Sequence, residues 1–347
     1  MLSKILKALS FVFDTLAIVV FLWSAFNVSL VLYGINQAKG QLYIVLNSQP
    51  IEELLNDGNI SDSVKTKLRL IEEIKKFAID TLELKSTDNY TTYYDQRGKP
   101  LLWVLTASER FALKAFEWKF PLIGEVSYKG FFDYPKGRKE EQELKSRDYD
   151  TDYDEVTAWS TLGWFSDPVL SSMLKRDAGS LAELIIHEMT HSTIYLKSSV
   201  SFNENFASMI GEEGTIRFLA SKYGSNSDEL KIYLARKSDY DIFSGYMIAS
   251  AARLTSLYKT MKVSDTSREK DKLKAEMMNS IAGGIDTLKF NNPKRFKKIF
   301  SRQQLNNAYF LSFERYDKQK DSLRKEMKEK FGSEIKSYIK FMQEKNK

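Results

Sequence analysis

Apolar residues recur at helical spacing over most of the chain. Between residues 41 and 85 they fall three or four positions apart, with Pro50 opening one helix and Ser61 opening a second after a break at 57–59. A helical pattern returns after Gly224 and continues towards the C-terminus, interrupted at 283–284 and 291–293, with a final helix expected from about 306 to 345. The sequence therefore predicts a predominantly helical protein.

The middle of the chain has a different pattern, in which short aromatic or β-branched runs are bounded by glycine and proline. These runs predict strands at 101–106, 126–132 and 156–162. The charged segment 138–155 predicts a solvated helix or loop, because its alternating aspartates lack the central glycine and terminal glutamate of a calcium loop. The expected fold class is α+β, predominantly α-helical, with a small β-sheet.

The N-terminal segment predicts a membrane anchor. No charged residue lies between Thr15 and Tyr33, and this apolar run has about the length that crosses a bilayer. Lys4 and Lys7 precede it, so residues 1–12 are expected in the cytoplasm, 13–34 as a single transmembrane helix and 35–347 on the extracytoplasmic, periplasmic side. The alternative is a cleaved secretory signal, which also begins with positive charge followed by an apolar run.

The most informative motif is His-Glu-Met-Thr-His at 187–191, which contains the only two histidines of the chain. Ser180 and Glu183 predict a capping box for a helix that carries this motif. On a helix, positions i and i+4 share one face, so the imidazoles of His187 and His191 can bind one metal ion. Glu188 lies beside that face and can reach a water molecule at the metal, which makes it the candidate catalytic base.

A catalytic zinc ion takes three protein ligands, so one more is needed. Glu204 is the best candidate, because Ser201 or Asn203 can cap a second helix that would place Glu204 in its first turn and end near Tyr223. Two glutamates further along this helix are fallback ligands: Glu212 and Glu213. The expected cofactor is Zn²⁺, and the zinc-binding helices are expected at about 180–224, followed by a helical C-terminal part at 225–347.

These residues resemble the gluzincin, or thermolysin-like, zinc metallopeptidases, in which His-Glu-x-x-His is followed by a glutamate on the next helix. The chain is more closely similar to a family of bacterial envelope aminopeptidases. The similarity covers Ala-Trp-Ser-Thr-Leu-Gly-Trp-Phe-Ser-Asp-Pro at 158–168, the segments 187–195 and 202–207, Leu-Asn-Asn-Ala at 305–308, and 34–41. The resemblance implies zinc at His187, His191 and Glu204, with Glu188 as catalytic base, and a small sheet packed on the zinc helix.

The chain departs from that family in having no cysteine. Family members often carry a lipoprotein signal ending in cysteine and a cysteine pair around a segment like 118–121. The anchor of this chain must therefore be peptide rather than lipid, and its fold contains no disulfide.

Several functional assignments stay open at this stage. Tyr309 and Tyr316 are candidates for stabilising an oxyanion, and an aminopeptidase also needs an acidic group for the substrate α-amine. Four acidic residues could supply that group: Glu212, Glu213, Glu125 and Asp167. The rivals to a membrane-anchored aminopeptidase acting on peptides or proteins are an endopeptidase or processing protease of the cell envelope, and a non-catalytic scaffold stabilised by zinc.

Length, composition and charge limit the kinds of fold and of binding partner that the chain can have. With 347 residues, 43% of them hydrophobic, the chain can build a folded core as one large domain or a tightly joined pair. The net charge of +6 is spread along the C-terminal half without a basic block or readout chemistry, which argues against nucleic-acid binding. An anionic membrane surface is the more economical partner for the excess lysine. The oligomeric state is left open.

Overall fold

The structure is a computed structural model that describes residues 6, 9–15, 18, 25–121, 124–156, 166–196, 199–296 and 305–345. The chain divides into two units, Met1–Asn47 and Ser48–Lys347, with the boundary inside the domain predicted to begin at residue 35.

The first unit contains helix α1, Val28–Leu46. Part of the predicted anchor, 13–34, lies outside the described residues, at 16–17 and 19–24. Among the residues that are described, no helix is both long enough and apolar enough to cross a bilayer. The anchor stays a prediction.

The second unit is mostly helical. Its helices are α2 Ile51–Asn56, α3 Asp62–Asp80, α4 Tyr134–Ser146, α5 Ala178–Thr193, α6 Val200–Tyr223, α7 Asp228–Thr260, α8 Ser267–Gly284, α9 Asn307–Tyr316, α10 Lys320–Phe331 and α11 Ile335–Lys345. Six of these helices begin at a Ser, Thr, Asp or Asn whose side chain accepts a hydrogen bond from a first-turn N–H: Ser61, Asp133, Asp177, Ser227, Thr266 and Asn306. Such caps satisfy N–H groups that have no partner within the helix, and the predicted start of α3 after Ser61 is confirmed.

The strands are short and form three small sheets. They are β1 Gln49–Pro50, β2 Thr92–Tyr94, β3 Trp103–Glu109, β4 Trp118–Phe120, β5 Gly124–Val126, β6 Lys129–Phe131, β7 Tyr149–Glu155 and β8 Val169–Leu170. One sheet has the order β1-β2-β8, with β2 and β8 parallel, the second is antiparallel in the order β6-β3-β7, and β4 and β5 form a hairpin.

Two predictions for the middle of the chain are wrong in part. The charged segment 138–155 is helical up to Ser146, within α4, as predicted, but its second half forms β7, which pairs with β3 along its full length. The predicted strand at 126–132 is interrupted at Ser127 and Tyr128, so that β5 and β6 belong to different sheets. The strand predicted at 156–162 lies outside the described residues after Val156.

The long C-terminal helix predicted from 306 to 345 is also divided. It consists of α9, α10 and α11, because α9 ends at Tyr316 and Gly332 ends α10 in the left-handed conformation, with φ 59°. Glycine adopts this conformation without the steric penalty of a side chain. The two turns allow the three helices to pack on different parts of the molecule.

The core that supports the site is built mainly from helices. Its first cluster joins buried residues of α2, α3, α5, α6, α10 and α11 with β8, and its centre is the apolar face of α5, where Leu181, Ile185, Ile186 and Met189 are fully buried. A second cluster joins α7, α8 and α9 around Met247, Ile281 and Phe310. Helix α6 contributes to the first of these clusters, through Phe206, Met209, Ile210, Phe218 and Leu219.

Candidate metal centre

Helix α5 carries the motif and begins three residues earlier than predicted. Its N-cap is Asp177, whose Oδ1 accepts a hydrogen bond from the Ser180 N–H at 2.8 Å, and whose carboxylate also pairs with Arg236. The predicted capping box of Ser180 and Glu183 is therefore wrong. An anionic cap is favoured at this position by the helix dipole, and it takes the place that Ser180 was expected to fill.

Helix α6 carries Glu204 and begins at Val200, after an N-cap, Ser199, that makes no side-chain capping bond. Ser201 and Asn203 are not its caps. Asn203 instead holds the preceding loop, since its amide accepts from the Leu196 N–H and donates to the Leu196 carbonyl, both at 2.9 Å. The helix ends at Tyr223 as predicted, with Gly224 at φ 99°.

Two glycines let α5 and α6 approach closely beside the motif. A Cβ at Gly211 would lie 3.1 Å from the Glu183 carbonyl oxygen and 3.4 Å from the His187 Cβ. A Cβ at Gly214 would lie 2.8 Å from Leu82 and 3.1 Å from Ile186. Because these two glycines have no side chain, the α6 backbone lies against α5 at the level of His187. This close approach allows Glu204 to reach the histidines.

The structure brings His187, His191 and Glu204 together around one point. The two Nε2 atoms are 3.1 Å apart, and the Glu204 Oε2 lies 3.3 Å from His187 Nε2 and 3.4 Å from His191 Nε2. Within the described parts of the chain, these three are the group of histidines and carboxylates close enough to hold a metal ion. Tetrahedral zinc with bonds of about 2.0–2.1 Å requires ligand atoms about 3.3–3.4 Å apart, so the three atoms fit that ion.

The electrostatics of the three side chains are those of a closely coupled group. Burial raises the pKa of Glu204, but the hydrogen bonds and charges of His187 and His191 outweigh burial and lower that pKa to about 2. Burial lowers the pKa of His187, whereas the hydrogen bond to Glu204 and the nearby carboxylates raise it, with a net increase. Glu204 is thus held as a carboxylate, the form that binds a metal ion.

Glu188 is placed beside this group with an unsatisfied oxygen. Its Oε2 is buried and has no hydrogen-bond partner among the described residues. Burying a carboxylate oxygen without a partner is costly, so such an atom commonly marks a position where a water molecule or substrate completes the hydrogen bonding. The atom is available to a proton donor that enters the site.

The carboxylates of the site raise the pKa values of four tyrosines. Burial, followed by the charge of Glu188 and then that of Asp167, raises the pKa of Tyr90 well above its usual value. Partial burial and then the charge of Glu204 raise the pKa of three more, Tyr128, Tyr195 and Tyr316, of which Tyr195 and Tyr316 are 45% and 37% exposed. Of the two predicted oxyanion donors, Tyr316 is the one whose pKa is affected by the charges of Glu204 and Glu188.

Tyr309 lies elsewhere, in the second core cluster, where its ring contacts Phe310 and Phe313. No local sequence signal pointed to Tyr90 and Tyr128, which are about 60 to 100 residues from the motif along the chain. Tyr90 has a distinctive backbone, since its φ of 61° is unusual for a bulky residue and such strain is often found at functional sites.

The other acidic candidates differ in the residues that they contact. Glu212 is buried in ion pairs with Lys237, Lys320 and Arg324, and Glu213 pairs with Arg217 and Arg324, so neither joins the metal-binding group. Glu125 is in an exposed pair with Lys119 at 2.7 Å. Asp167 is buried, and its charge acts on the same tyrosine, Tyr90, as that of Glu188.

Comparison with known proteins places the chain in a family. The family model described as "Putative aminopeptidase" matches residues 32–347, and the chain belongs to this family. Comparisons with curated proteins and with solved structures each gave no match. Family membership indicates a peptidase. The segment 158–168, which carries part of the resemblance seen in the sequence, lies outside the described residues up to 165.

Proposed function

We propose that this protein is a zinc-dependent peptidase, and specifically an aminopeptidase, whose zinc ligands are His187, His191 and Glu204. The observation that carries the proposal is the triangle of ligand atoms with sides of 3.1, 3.3 and 3.4 Å. The Glu188 Oε2, which has no hydrogen-bond partner in the described part of the chain, supports a catalytic site over a structural one, because a structural zinc site does not need an additional carboxylate.

The residues of the chain have separate tasks in this mechanism. Zinc would act as a Lewis acid on the substrate carbonyl and lower the pKa of a water molecule to about 7. Glu188 takes the proton of the attacking water and delivers it to the leaving amine. Tyr316 is the stronger of the two candidates for donating a hydrogen bond to the oxyanion, because the charges of Glu204 and Glu188 both raise the pKa of its hydroxyl.

An aminopeptidase also holds the free α-amine of its substrate. Asp167 is our candidate for this group, because its carbonyl accepts a hydrogen bond from the Tyr90 N–H at 2.7 Å and its charge, like that of Glu188, raises the pKa of Tyr90. A peptide with an acetylated N-terminus separates the aminopeptidase from its enzymatic rival. A strict aminopeptidase leaves that peptide intact, whereas cleavage at an internal bond would establish an endopeptidase.

The wider setting of the site forms part of the same proposal. We propose a thermolysin-like core, in which Val169 and Leu170 of β8 belong to the same hydrophobic cluster as the buried face of the motif helix α5. We also propose that residues 13–34 anchor the chain in a membrane and that the peptidase domain faces the extracytoplasmic side, on the basis of the uncharged run between Thr15 and Tyr33.

The first test compares two substitutions that make the same chemical change on neighbouring helices. Glu204→Gln replaces a ligand oxygen with a weaker neutral one, so the purified variant should lose the single zinc ion expected in the wild type. Glu188→Gln should keep that zinc ion and lower kcat by about 10²- to 10⁴-fold, since it removes only the general base. Zinc content is measured by mass spectrometry, and hydrolysis is measured on peptides with a free amino terminus.

Each variant serves as the control for the other. Wild-type protein that neither contains zinc nor takes up added zinc would contradict the proposal. If wild type and Glu188→Gln both contain zinc and have the same effect in cells, the non-catalytic scaffold is the better description.

A further inference from the structure

Arg315, at the end of α9, is held in a fixed position next to the Glu204 helix. Its carbonyl accepts a hydrogen bond from Asn205 Nδ2 at 2.7 Å, and the Asn205 Oδ1 accepts from the Gln319 N–H at 2.7 Å. Asn205 is fully buried and directly follows Glu204. The last turn of α9, which carries Arg315 and Tyr316, is therefore hydrogen-bonded to the helix that carries the third proposed ligand.

The Arg315 side chain extends over the β5–β6 turn. Its Nη2 donates a hydrogen bond to Ser127 Oγ at 3.1 Å, and its guanidinium carbon lies 5.6 Å from the centre of the Tyr128 ring. The charges of Arg315 and Glu204 act in opposite directions on the pKa values of Tyr128 and Tyr316, after burial, which raises both. The charges of the guanidinium and of Glu204 therefore both affect these two hydroxyls.

Arg315 is half-buried but forms no ion pair within the described ranges of the chain. Other cations near α6 are neutralised, since Lys237, Lys320 and Arg324 all pair with Glu212. A guanidinium has five N–H donors in a planar fork that matches a carboxylate. Because Ser127 is the one hydrogen-bond acceptor of this side chain among the residues that the structure describes, most of its donors are available to an incoming anion.

We infer that Arg315 binds a carboxylate of the peptide substrate, and that Ser127 and Tyr128 orient its guanidinium for this purpose. This inference rests on the proposed peptidase function and names the substrate class, peptides with a carboxylate near the cleaved bond. The carboxylate has two possible sources, an acidic side chain at the N-terminal residue or the C-terminus of a short peptide.

Two matched peptide pairs distinguish the sources. Asp-Leu-Leu-amide and Asn-Leu-Leu-amide differ in the charge of the first side chain, whereas Leu-Leu and Leu-Leu-amide differ in the C-terminal charge. A hydrogen-bonded pair involving a charged group contributes about 1.5–3 kcal/mol, so wild type should prefer the charged member of one pair by about 10- to 150-fold in kcat/KM. The pair that shows the preference identifies the source.

The preference ratio should fall to within about threefold of unity in Arg315→Met and be partly retained in Arg315→Lys, which keeps the charge without the fork. Lys318→Met is the matched control, because Lys318 is an exposed cation on the same turn that pairs with Glu314. It should leave the ratio unchanged.

Binding is measured separately by titration calorimetry in the Glu188→Gln background, with and without Arg315→Met, using the same peptides. Equal binding of charged and neutral peptides, or a preference that persists in Arg315→Met, would overturn the inference. Arg315-dependent binding in a protein whose wild type hydrolyses none of the peptides would refute the proposed function and support carboxylate recognition.

Discussion

At the scale of single residues, the candidate site is defined by a few side-chain atoms that other residues of the site could not replace. Three ligand atoms converge within 3.4 Å of one another, and a buried oxygen of Glu188 lies beside them without a partner among the described residues. The spacing of His187 and His191 made two of these positions predictable, because one helical turn fixes their relation. Glu204 was a candidate on weaker grounds, since its approach depends on how two helices pack, which residue spacing does not determine.

The cap of the motif helix leads to a prediction about pH at this scale. Burial raises the pKa of Asp177, but the hydrogen bond from the Ser180 N–H and the charge of Arg236 outweigh burial and lower it. A depressed folded-state pKa contributes stability above the unfolded value, near pH 4, and this contribution is lost as the pH falls through the folded pKa. Asp177→Asn keeps a capping oxygen and removes the charge, so wild type should be more stable at pH 7 by about 0.5–1 kcal/mol, and the difference should decline below pH 4.

Urea unfolding at pH 7, 5, 4 and 3, with a chelator present in every sample, measures this difference. Asp177→Ala is the companion variant, which removes the capping oxygen as well as the charge. It should lower the free energy of unfolding by about 1 kcal/mol at every pH at which the Asp177 side chain accepts the Ser180 N–H. A wild-type advantage over Asp177→Asn that grows as the pH falls would contradict the assigned role.

At the scale of helices and strands, some boundaries could be predicted from neighbouring residues, whereas pairing between distant segments could not. The helix ending at Tyr223 and the start after Ser61 follow from residues next to each boundary. Strand β7 was not predicted, because its charged side chains were expected to be solvated. Asp150 instead pairs with Lys274 at 2.5 Å and accepts a hydrogen bond from the Asn307 N–H at 2.8 Å. Those partners lie more than a hundred residues away, so the sequence around Asp150 contains no indication of them.

The close approach of α5 and α6 predicts an effect on metal binding. Gly211→Ala would place a Cβ 3.1 Å from the Glu183 carbonyl oxygen, so one helix must move by a few tenths of an ångström next to His187. This displacement should weaken zinc binding by roughly tenfold, the lower end of the loss seen when ligands are poorly oriented. Competition with a chromophoric chelator measures the affinity.

Gly245→Ala is the matched control for this substitution. Gly245 is also within a helix, α7, and an added Cβ would meet no atom within 4 Å. The change should leave zinc affinity unaltered and stabilise the fold by about 0.5–1 kcal/mol, as alanine does in place of an exposed helical glycine. Equal zinc affinities in the two variants would show that the approach of α6 does not set the position of His187.

At the scale of the whole second unit, a buried charge cluster joins elements that are far apart in the sequence. Lys320 donates to Glu212 at 2.5 Å and to Asp317 at 3.0 Å, and Lys237 reaches Glu212 at 3.1 Å. Burial lowers the pKa of Lys320, but the charges of Glu212 and Asp317 outweigh it and raise that pKa. Through these contacts, α10 and α7 are fastened to the helix that carries Glu204.

Removing the central cation of the cluster should be severely destabilising. Lys320→Met leaves Glu212 and Asp317 buried beside each other with fewer compensating charges, and we expect a loss of about 3–5 kcal/mol in the free energy of unfolding. Lys318→Met removes an exposed cation two residues away and should change stability by no more than about 0.5 kcal/mol.

Chemical denaturation of the two variants measures both values. A loss below about 1 kcal/mol for Lys320→Met would mean that the cluster relaxes or takes up water, and that other contacts hold α10 on α6.

Both histidines of the chain lie in the one site, and this provides the protein with a built-in spectroscopic label. If histidine alone is isotopically enriched, every imidazole resonance in the NMR spectrum comes from His187 or His191. Ring-nitrogen shifts would then report the protonation, tautomer and metal coordination of each ring without mutation or assignment of the remaining residues. The occupancy of the site could be followed during substrate binding in the unmodified sequence.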